Sequence, residues 1–500
     1  MKKFKEVETT RRDYHKDPTL NSIHRSSLLV PELPDSEVEI SFLNHFLLKR
    51  NYSKVACKIT AIDTNGNKIE SKLFTIDKPI VYTIKLSGMT DQKVSNYIIE
   101  FFAAENLFIP FPAVMINHRG KNFINQVHAF NRILNDVFED DAINKNQVKE
   151  ASIDMIINEK TDTFFLFTAG PLPCKEPIQI EILTDNSSYL KKLDLDIPRF
   201  GLKNVSLKKS FDKIPFGSTG IIKIAQPKQF LFYGRMLAGQ TQNDGSFSAN
   251  HSYYDSSTMY EYWDDNRPSS RFYPFFKELS NKVRMYPILS PSELDIFINL
   301  YDNDGELISE NNVGTLSSPS NRFIGIDVNS IINKNSIQFS KVSTFAVITK
   351  VTTGKMPTRI GHQLIYGAGG LDSSIAVSLL NSNVFIPKSK GSFKWGQTII
   401  GGDYDSVVGI VADPTENREI DYHDLSVKFY NKNGLITERN WQIKNKTSLK
   451  FQISKELSEI DKSNEPDYVW CTVEGKTPGV HFFSLAYNKI SKHSSADHGF

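Results

Sequence analysis

Three histidines close the same short signature in this chain: Ser248-Ala249-Asn250-His251, Ser495-Ala496-Asp497-His498 and, more loosely, Asn125-Gln126-Val127-His128. A fourth copy, Ser374-Ile375-Ala376-Val377, ends in valine. His128, His251 and His498 are three imidazoles, enough for a zinc or iron site when water or a carboxylate completes the shell. Asp255 and Asp497 are the nearest carboxylates in sequence, and an enzyme built on such a site would use Asp255 or Glu261 as general acid/base. All three ring nitrogens would have to come within about 2.0–2.1 Å of one ion, so the units that carry them would have to pack with equivalent ends converging. The competing expectation is local. A serine three residues before a histidine near a strand end satisfies a turn, and its recurrence then records common ancestry of the copies. Val377 fits that second expectation, and it also fits the loss of one ligand position.

A unit that recurs every hundred-odd residues identifies a tandem array. Gly354-Lys355-Met356-Pro357 and Gly475-Lys476-Thr477-Pro478 open two matching segments. Tyr366 and Tyr487 follow at the same distance from each glycine, then Ser374 and Ser495, then Val377 and His498. Counting back from His251 and His128 by the same interval reaches Lys228 and Glu105, so the first two copies keep less of the pattern.

Upstream in each copy an alternating strand runs into a tight turn. Leu294, Ile296, Ile298 and Leu300 lead to Asp302-Asn303-Asp304-Gly305, and Leu425, Val427 and Phe429 lead to Asn431-Lys432-Asn433-Gly434. Val55, Cys57, Ile59 and Ala61 precede Asp63-Thr64-Asn65-Gly66, and Ile178, Ile180 and Ile182 precede Asp185-Asn186-Ser187. Period-two alternation buries one strand face, and turns of this composition close β-hairpins. Further short apolar segments bring the count to about seven strands per hundred residues, which predicts an all-β chain of four tandem, diverged, immunoglobulin-like antiparallel β-sandwiches. The expected units are an N-terminal arm over 1–19, sandwiches over 20–135, 150–256, 277–385 and 386–500, and an aromatic connector over 257–276. Phe123, Val127, Phe130, Leu134 and Val137 recur at three- or four-residue spacing, which predicts a short helix near 123–138.

Lys+Arg 59 against Asp+Glu 57 leaves a formal charge of +2, so no global field favours nucleic acid or an anionic membrane. No run of apolar residues is long enough for a transmembrane helix, and the charged first nineteen residues lack a signal-peptide core. Cys57, Cys174 and Cys471 are an odd number spread over three copies, which predicts free thiols and a reducing compartment, cytoplasmic rather than secreted. Zinc-protease, P-loop and Cys-x-x-Cys motifs are absent. Gly367-Ala368-Gly369-Gly370 lacks the spacing and βαβ setting of a dinucleotide loop.

The most aromatic stretch lies between copies two and three. Tyr253, Tyr254, Tyr260, Tyr262, Trp263 and Arg267 would suit a sugar ring or a peptide, because such side chains combine flat apolar area with polar tips. The alternative is a packed connector. The function expected is therefore a non-catalytic binding or scaffolding protein with a glycan or protein partner and no cofactor. A metal-dependent enzyme with a divalent ion on the shared histidines is the first alternative, and a structural subunit of a larger assembly the second.

Overall fold

A computed structural model describes residues 25–500 apart from 54, 104–112, 134–149, 212, 228–230, 233–234, 256–261, 264–265, 287–291, 318–322, 358–359, 382–390, 416–419 and 459–463. The expected arm over 1–19 lies outside the described residues. The rest is all-β. Four antiparallel sandwiches follow one another, from Arg25 to His128, Glu150 to His251, Ser269 to Ser378 and Ser392 to His498. Each has eight principal strands in the same order, with strands one, six, three and four forming one sheet and five, two, seven and eight the other. Four copies of one strand order are the structural counterpart of the repeated signature.

The alternation read along the third strands buries their apolar side chains, with Ile296, Ile298 and Leu300 or Leu425, Val427 and Phe429 facing the sandwich cores. The hairpin that follows is held by its own polar side chains. Asp63 Oδ1 accepts from the Asn65 and Asn67 N–H groups, and Asp302 Oδ1 accepts in the same way from Asp304 and Glu306. Gly66 and Gly305 take the positive φ that lets the chain reverse there. Gly354 and Gly475 both stand where the sixth strand gives way to the seventh, Tyr366 and Tyr487 lie in seventh strands, and Ser374 and Ser495 in eighth strands. The landmarks counted along the sequence therefore occupy equivalent elements.

Two expectations change. Residues 124–128 form a strand rather than the start of a helix, and Arg132–Ile133 form another; the remainder of the predicted helix lies outside the described residues. The apolar spacing there arises because Phe123, Val127 and Phe130 all join the core of the first sandwich, from a strand and the turns beside it. The aromatic connector expected over 257–276 ends earlier. Ser269–Pro274 is the first strand of the third sandwich, and Phe272, Tyr273, Phe275 and Phe276 are its core.

The array is closed rather than linear. Sandwiches one and two are linked because Leu231–Phe232, from the second repeat, pairs with Arg132–Ile133 and extends the first sandwich's sheet. Two and three are joined by the buried Arg284–Asp154 ion pair at 2.8 Å. Three and four are tied by the Lys450 ammonium, which donates to the carbonyls of Phe275, Val342 and Ser343. Four returns to one through Trp470 Nε1–H to Ser41 Oγ at 2.8 Å and Gln397 Nε2–H to Asn117 Oδ1 at 2.7 Å. The first-sandwich core accordingly runs on into Trp395, Tyr468 and Trp470 of the fourth. Among the described residues, no helix is long and apolar enough to cross a membrane.

Several buried histidines outside the centre set a pH limit on this packing. Burial pushes His45 and His362 down to about 3 and His118 to about 4. The unfolded chain takes up the same protons near pH 6.5, so acid favours unfolding. The contribution of these neutral rings is complete above about pH 6.5 and is lost as pH falls toward about 4, at roughly 1.4 kcal/mol per histidine per pH unit. Urea midpoints should fall steeply between about pH 6.5 and 5 and change little between 7 and 8; a midpoint flat across the acid range would contradict the burial of these rings.

Candidate metal centre

The eighth strand of each sandwich, Ile124–His128, Phe247–His251, Ser373–Ser378 and Ser494–His498, is the edge of its sheet. An edge strand leaves backbone N–H and C=O groups unpaired on one side, and these four are buried at the middle of the molecule, away from water. The signature residues satisfy them. Ser495 Oγ accepts from Gln126 N–H at 2.7 Å, while Gln126 Nε2–H donates to Ser495 O at 3.0 Å. Asn125 Oδ1 accepts from Ala249 N–H, Ser248 Oγ donates to Ser494 O, and Asn250 Nδ2–H donates to Ala496 O. Ser373 Oγ accepts from Ala496 N–H and completes the link to the third sandwich. Small polar side chains thus replace ladder pairing, which explains why serine or asparagine stands at the first signature position of copies one, two and four; in copy three the residue before it, Ser373, does this work.

At the fifth residue of three of these strands stand His128, His251 and His498. They come from different sandwiches and lie together, each offering a ligand nitrogen within 4.8 Å of the others. The His128 ring centroid is 4.6 Å from that of His251 and 4.7 Å from that of His498. The array closes so that its equivalent ends meet, and within it His251 and His498 also make the local hydrogen bond expected of each copy, to Ser252 O and Gly499 O.

Hydrogen bonds assign the tautomers. His251 Nδ1–H faces Ser252 O at 3.0 Å, His498 Nδ1–H faces Gly499 O at 2.9 Å, and His128 Nδ1–H faces Asp497 Oδ1 at 2.9 Å. With Nδ1 as the donor of each ring, Nε2 would be the atom each offers to a ligand. Asp497 is a positioning group. Oδ1 also accepts from His498 N–H at 2.8 Å and Oδ2 from His128 N–H at 2.8 Å. Burial pushes its carboxyl up, but attraction and hydrogen bonds from His128, with His498 adding to them, hold it below the usual carboxylate range.

Burial drives His251 well below its ordinary value, helped by repulsion from Arg235, whose Nη1 lies 3.3 Å from His251 Nε2. Burial and the neighbouring His128 push His498 down to about 3, against the attraction of Asp497. Rings held neutral in this way keep their lone pairs available to a cation. A tetrahedral zinc site places its nitrogens roughly 3.3–3.5 Å apart, so modest side-chain rotation would draw these rings onto one ion. Val377, at the equivalent fifth position of the third sandwich, points into that sandwich's core, opposite His362 in register.

The aromatic residues behave differently. Tyr253 and Tyr254 lie in a short strand, Tyr253–Asp255, that pairs with the first strand of the second sandwich, and Tyr260 lies outside the described residues. Tyr262 forms a bridge with Pro357, and Trp263 packs on the third-sandwich core with its backbone N–H on Met356 O at 2.9 Å. Both are half-buried, whereas Arg267 is exposed. Of the carboxylates expected near the histidines, Asp497 is there. Asp255 belongs to the opposite sheet of the second sandwich, and Glu261 lies outside the described residues. Arg235, which reaches His251, carries no signature that sequence reasoning could have used.

No protein-family model and no curated protein matches the chain. Among solved structures, a Bacteroides uniformis beta-glucuronidase 2, covalently bound to cyclophellitol-6-carboxylate aziridine, matches at 12% identity and a TM-score of 0.14, over 49% of this chain and 28% of that one. The FN1–FN3 domains of chicken CNTN1 match at 9% identity and a TM-score of 0.09, over 70% of this chain and 96% of that one. The chain therefore spans less than a third of the glucuronidase's length, and neither likeness bears on function.

Replacing Asp497 by alanine would strand three buried N–H donors. A loss of roughly 2–5 kcal/mol is expected. Chemical denaturation of Asp497→Ala beside the parent checks this, and a loss below 1 kcal/mol would show that the carboxylate is not a structural link between sandwiches one and four.

Proposed function

We propose that this chain is a non-catalytic binding or scaffolding protein whose closed ring of four sandwiches is organised round a divalent transition metal on His128, His251 and His498. The observation that carries the reading is the set of three imidazoles whose ring nitrogens lie within 4.8 Å of one another and whose Nδ1 atoms each face an acceptor, so that a cation would take the Nε2 atoms and displace Arg235 from that of His251. Second-sphere acceptors of this kind fix ring orientation in metal sites. Zinc suits an all-imidazole set, with iron as the other candidate. Because the ligands belong to three sandwiches, the ion would act as a clamp at the middle of the ring.

A metal-dependent enzyme is supported less well. Three protein ligands do leave a coordination position open, as catalytic sites do. Yet both oxygens of Asp497 are occupied by N–H groups, so it is not placed to act as general base. The unpaired, buried thiols of Cys57, Cys174 and Cys471 favour a reducing, cytoplasmic setting.

For a glycan or protein partner, the surface we favour starts beside Arg267, where a cleft of about 820 Å³ opens between sandwiches three and four. Ser270, Tyr301, Glu306, Thr415, Tyr422 and Lys446 line it. Tyr422 is 54% exposed and supplies a ring to stack on, with charged and hydroxyl groups around it. This surface takes over the role expected of Tyr262 and Trp263, which are half-buried.

Protein purified without a histidine tag should carry about one zinc or iron per chain by elemental analysis, and His251→Ala and His498→Ala should lose it. An ion at a hundred times its Kd adds about 2.7 kcal/mol, so chelation should lower Tm and zinc should restore it. Metal-free protein with an unchanged Tm after zinc addition would refute the metal centre. For the binding surface, Tyr422→Ala should lose retention on a glycan or partner array with Tm unchanged; undiminished retention would exclude the cleft.

A further inference from the structure

We propose that Arg235 is an internal competitor for the metal centre: in the metal-free chain its guanidinium holds the ligand atom of His251, and it must leave that atom for an ion to bind. The inference rests on the metal reading and adds how loading of the site is regulated.

His251 differs from the other two rings in the state of its Nε2. Among the described residues no hydrogen bond reaches Nε2 of His128 or His498, whereas Arg235 Nη1 lies 3.3 Å from Nε2 of His251. The direction of that bond is fixed. His251 Nδ1–H faces Ser252 O at 3.0 Å, and a guanidinium only donates, so the Nε2 lone pair is the acceptor. One lone pair cannot serve a guanidinium and a metal ion together. Arg235 also carries a permanent positive charge, which opposes a second cation at the same nitrogen. Burial, with that charge added to it, holds His251 neutral. The competitor therefore keeps the ring in the form an ion needs while withholding its ligand atom.

Backbone pairing puts Arg235 within reach. It precedes Met236, and Met236 bonds the residue that follows the histidine: Ser252 N–H donates to Met236 O at 2.7 Å and Met236 N–H donates to Ser252 Oγ at 3.1 Å. The same backbone bond recurs in copies one and four, from Ala129 N–H to Val114 O and from Gly499 N–H to Phe482 O. The residues that precede these acceptors are Ala113 and His481. Ala113 is too short to reach a ring, and His481 Nε2 lies 3.8 Å from the Asp413 carboxylate. Copies one and four thus seat their histidines without an arginine, so the bond from Arg235 is not a device that the fold needs at this strand position. It is specific to the second copy and is directed at a ligand atom.

The test titrates the full chain with zinc against a chromophoric chelator, comparing the parent with Arg235→Gln and Arg235→Lys. Arg235→Gln should bind zinc about tenfold tighter or more, and Arg235→Lys, which keeps the charge but loses the planar fork, should gain less. The sign of the change separates competition from a structural role, because loss of a structural support weakens a site or leaves it as it was. If Arg235→Gln fails to fold, a gain in Arg235→Lys decides. Zinc affinity unchanged or weakened in the folded variants would overturn the inference and leave the metal centre standing. No zinc binding by the parent or by either variant would remove the metal reading and this inference together.

Discussion

Burying a sheet edge is costly unless every backbone group along it finds a partner, and this molecule buries four edges against one another. Direct ladder pairing between the eighth strands would merge the sandwiches into continuous sheets. Instead, Asn125, Ser248, Ser373, Asn250 and Ser495 reach across and bond the neighbouring backbone. Short polar side chains suit this because they carry donor and acceptor close to the main chain and lose little rotamer freedom. Larger residues at the same places would push the strands apart.

The remaining features of the centre follow from that arrangement. Once equivalent strands meet, equivalent residues meet, and a histidine that recurs once per copy becomes a cluster. The third signature residue then takes on different tasks in different copies. Asn250 holds the backbone of His251 and reaches Ala496, while Asp497 orients His128 across the junction and holds the backbone of His498. The copies therefore differ in what this position bonds to. In the third copy the change goes further, with Val377 drawn into the core and Arg271 anchored at the next carbonyl.

Closure of the ring also distributes stability. The four contacts between sandwiches use unlike devices: a shared sheet, a buried ion pair, an ammonium on three carbonyls, and an indole and amide network. Each is modest, but a closed ring opens only when two contacts break together. Such a frame can hold three imidazoles in register without a rigid local turn around each. The same burial disfavours the protonated forms of His251 and His498 and keeps their lone pairs available.

Most of the architecture was legible along the chain. Alternation at Leu294 to Leu300 and the Asp-Gly or Asn-Gly turns after it reported hairpins, because strand burial and turn chemistry are local. The spacing from Gly354 or Gly475 to the eighth strand reported the repeat for the same reason. The helix expected near 123–138 misled because residues spaced three and four apart can also reach one core from a strand and its turns, as Phe123, Val127 and Phe130 do. Aromatic content misled at 269–276, since composition does not distinguish a core strand from an exposed platform. The sequence by itself determined four β-sandwiches and placed one histidine at the same strand position in three of them. Only the tertiary structure decided that these histidines meet, that Asp497 orients one of them and that Arg235 reaches His251, because contacts between distant segments depend on how the sandwiches close on one another, and no local pattern records that closure.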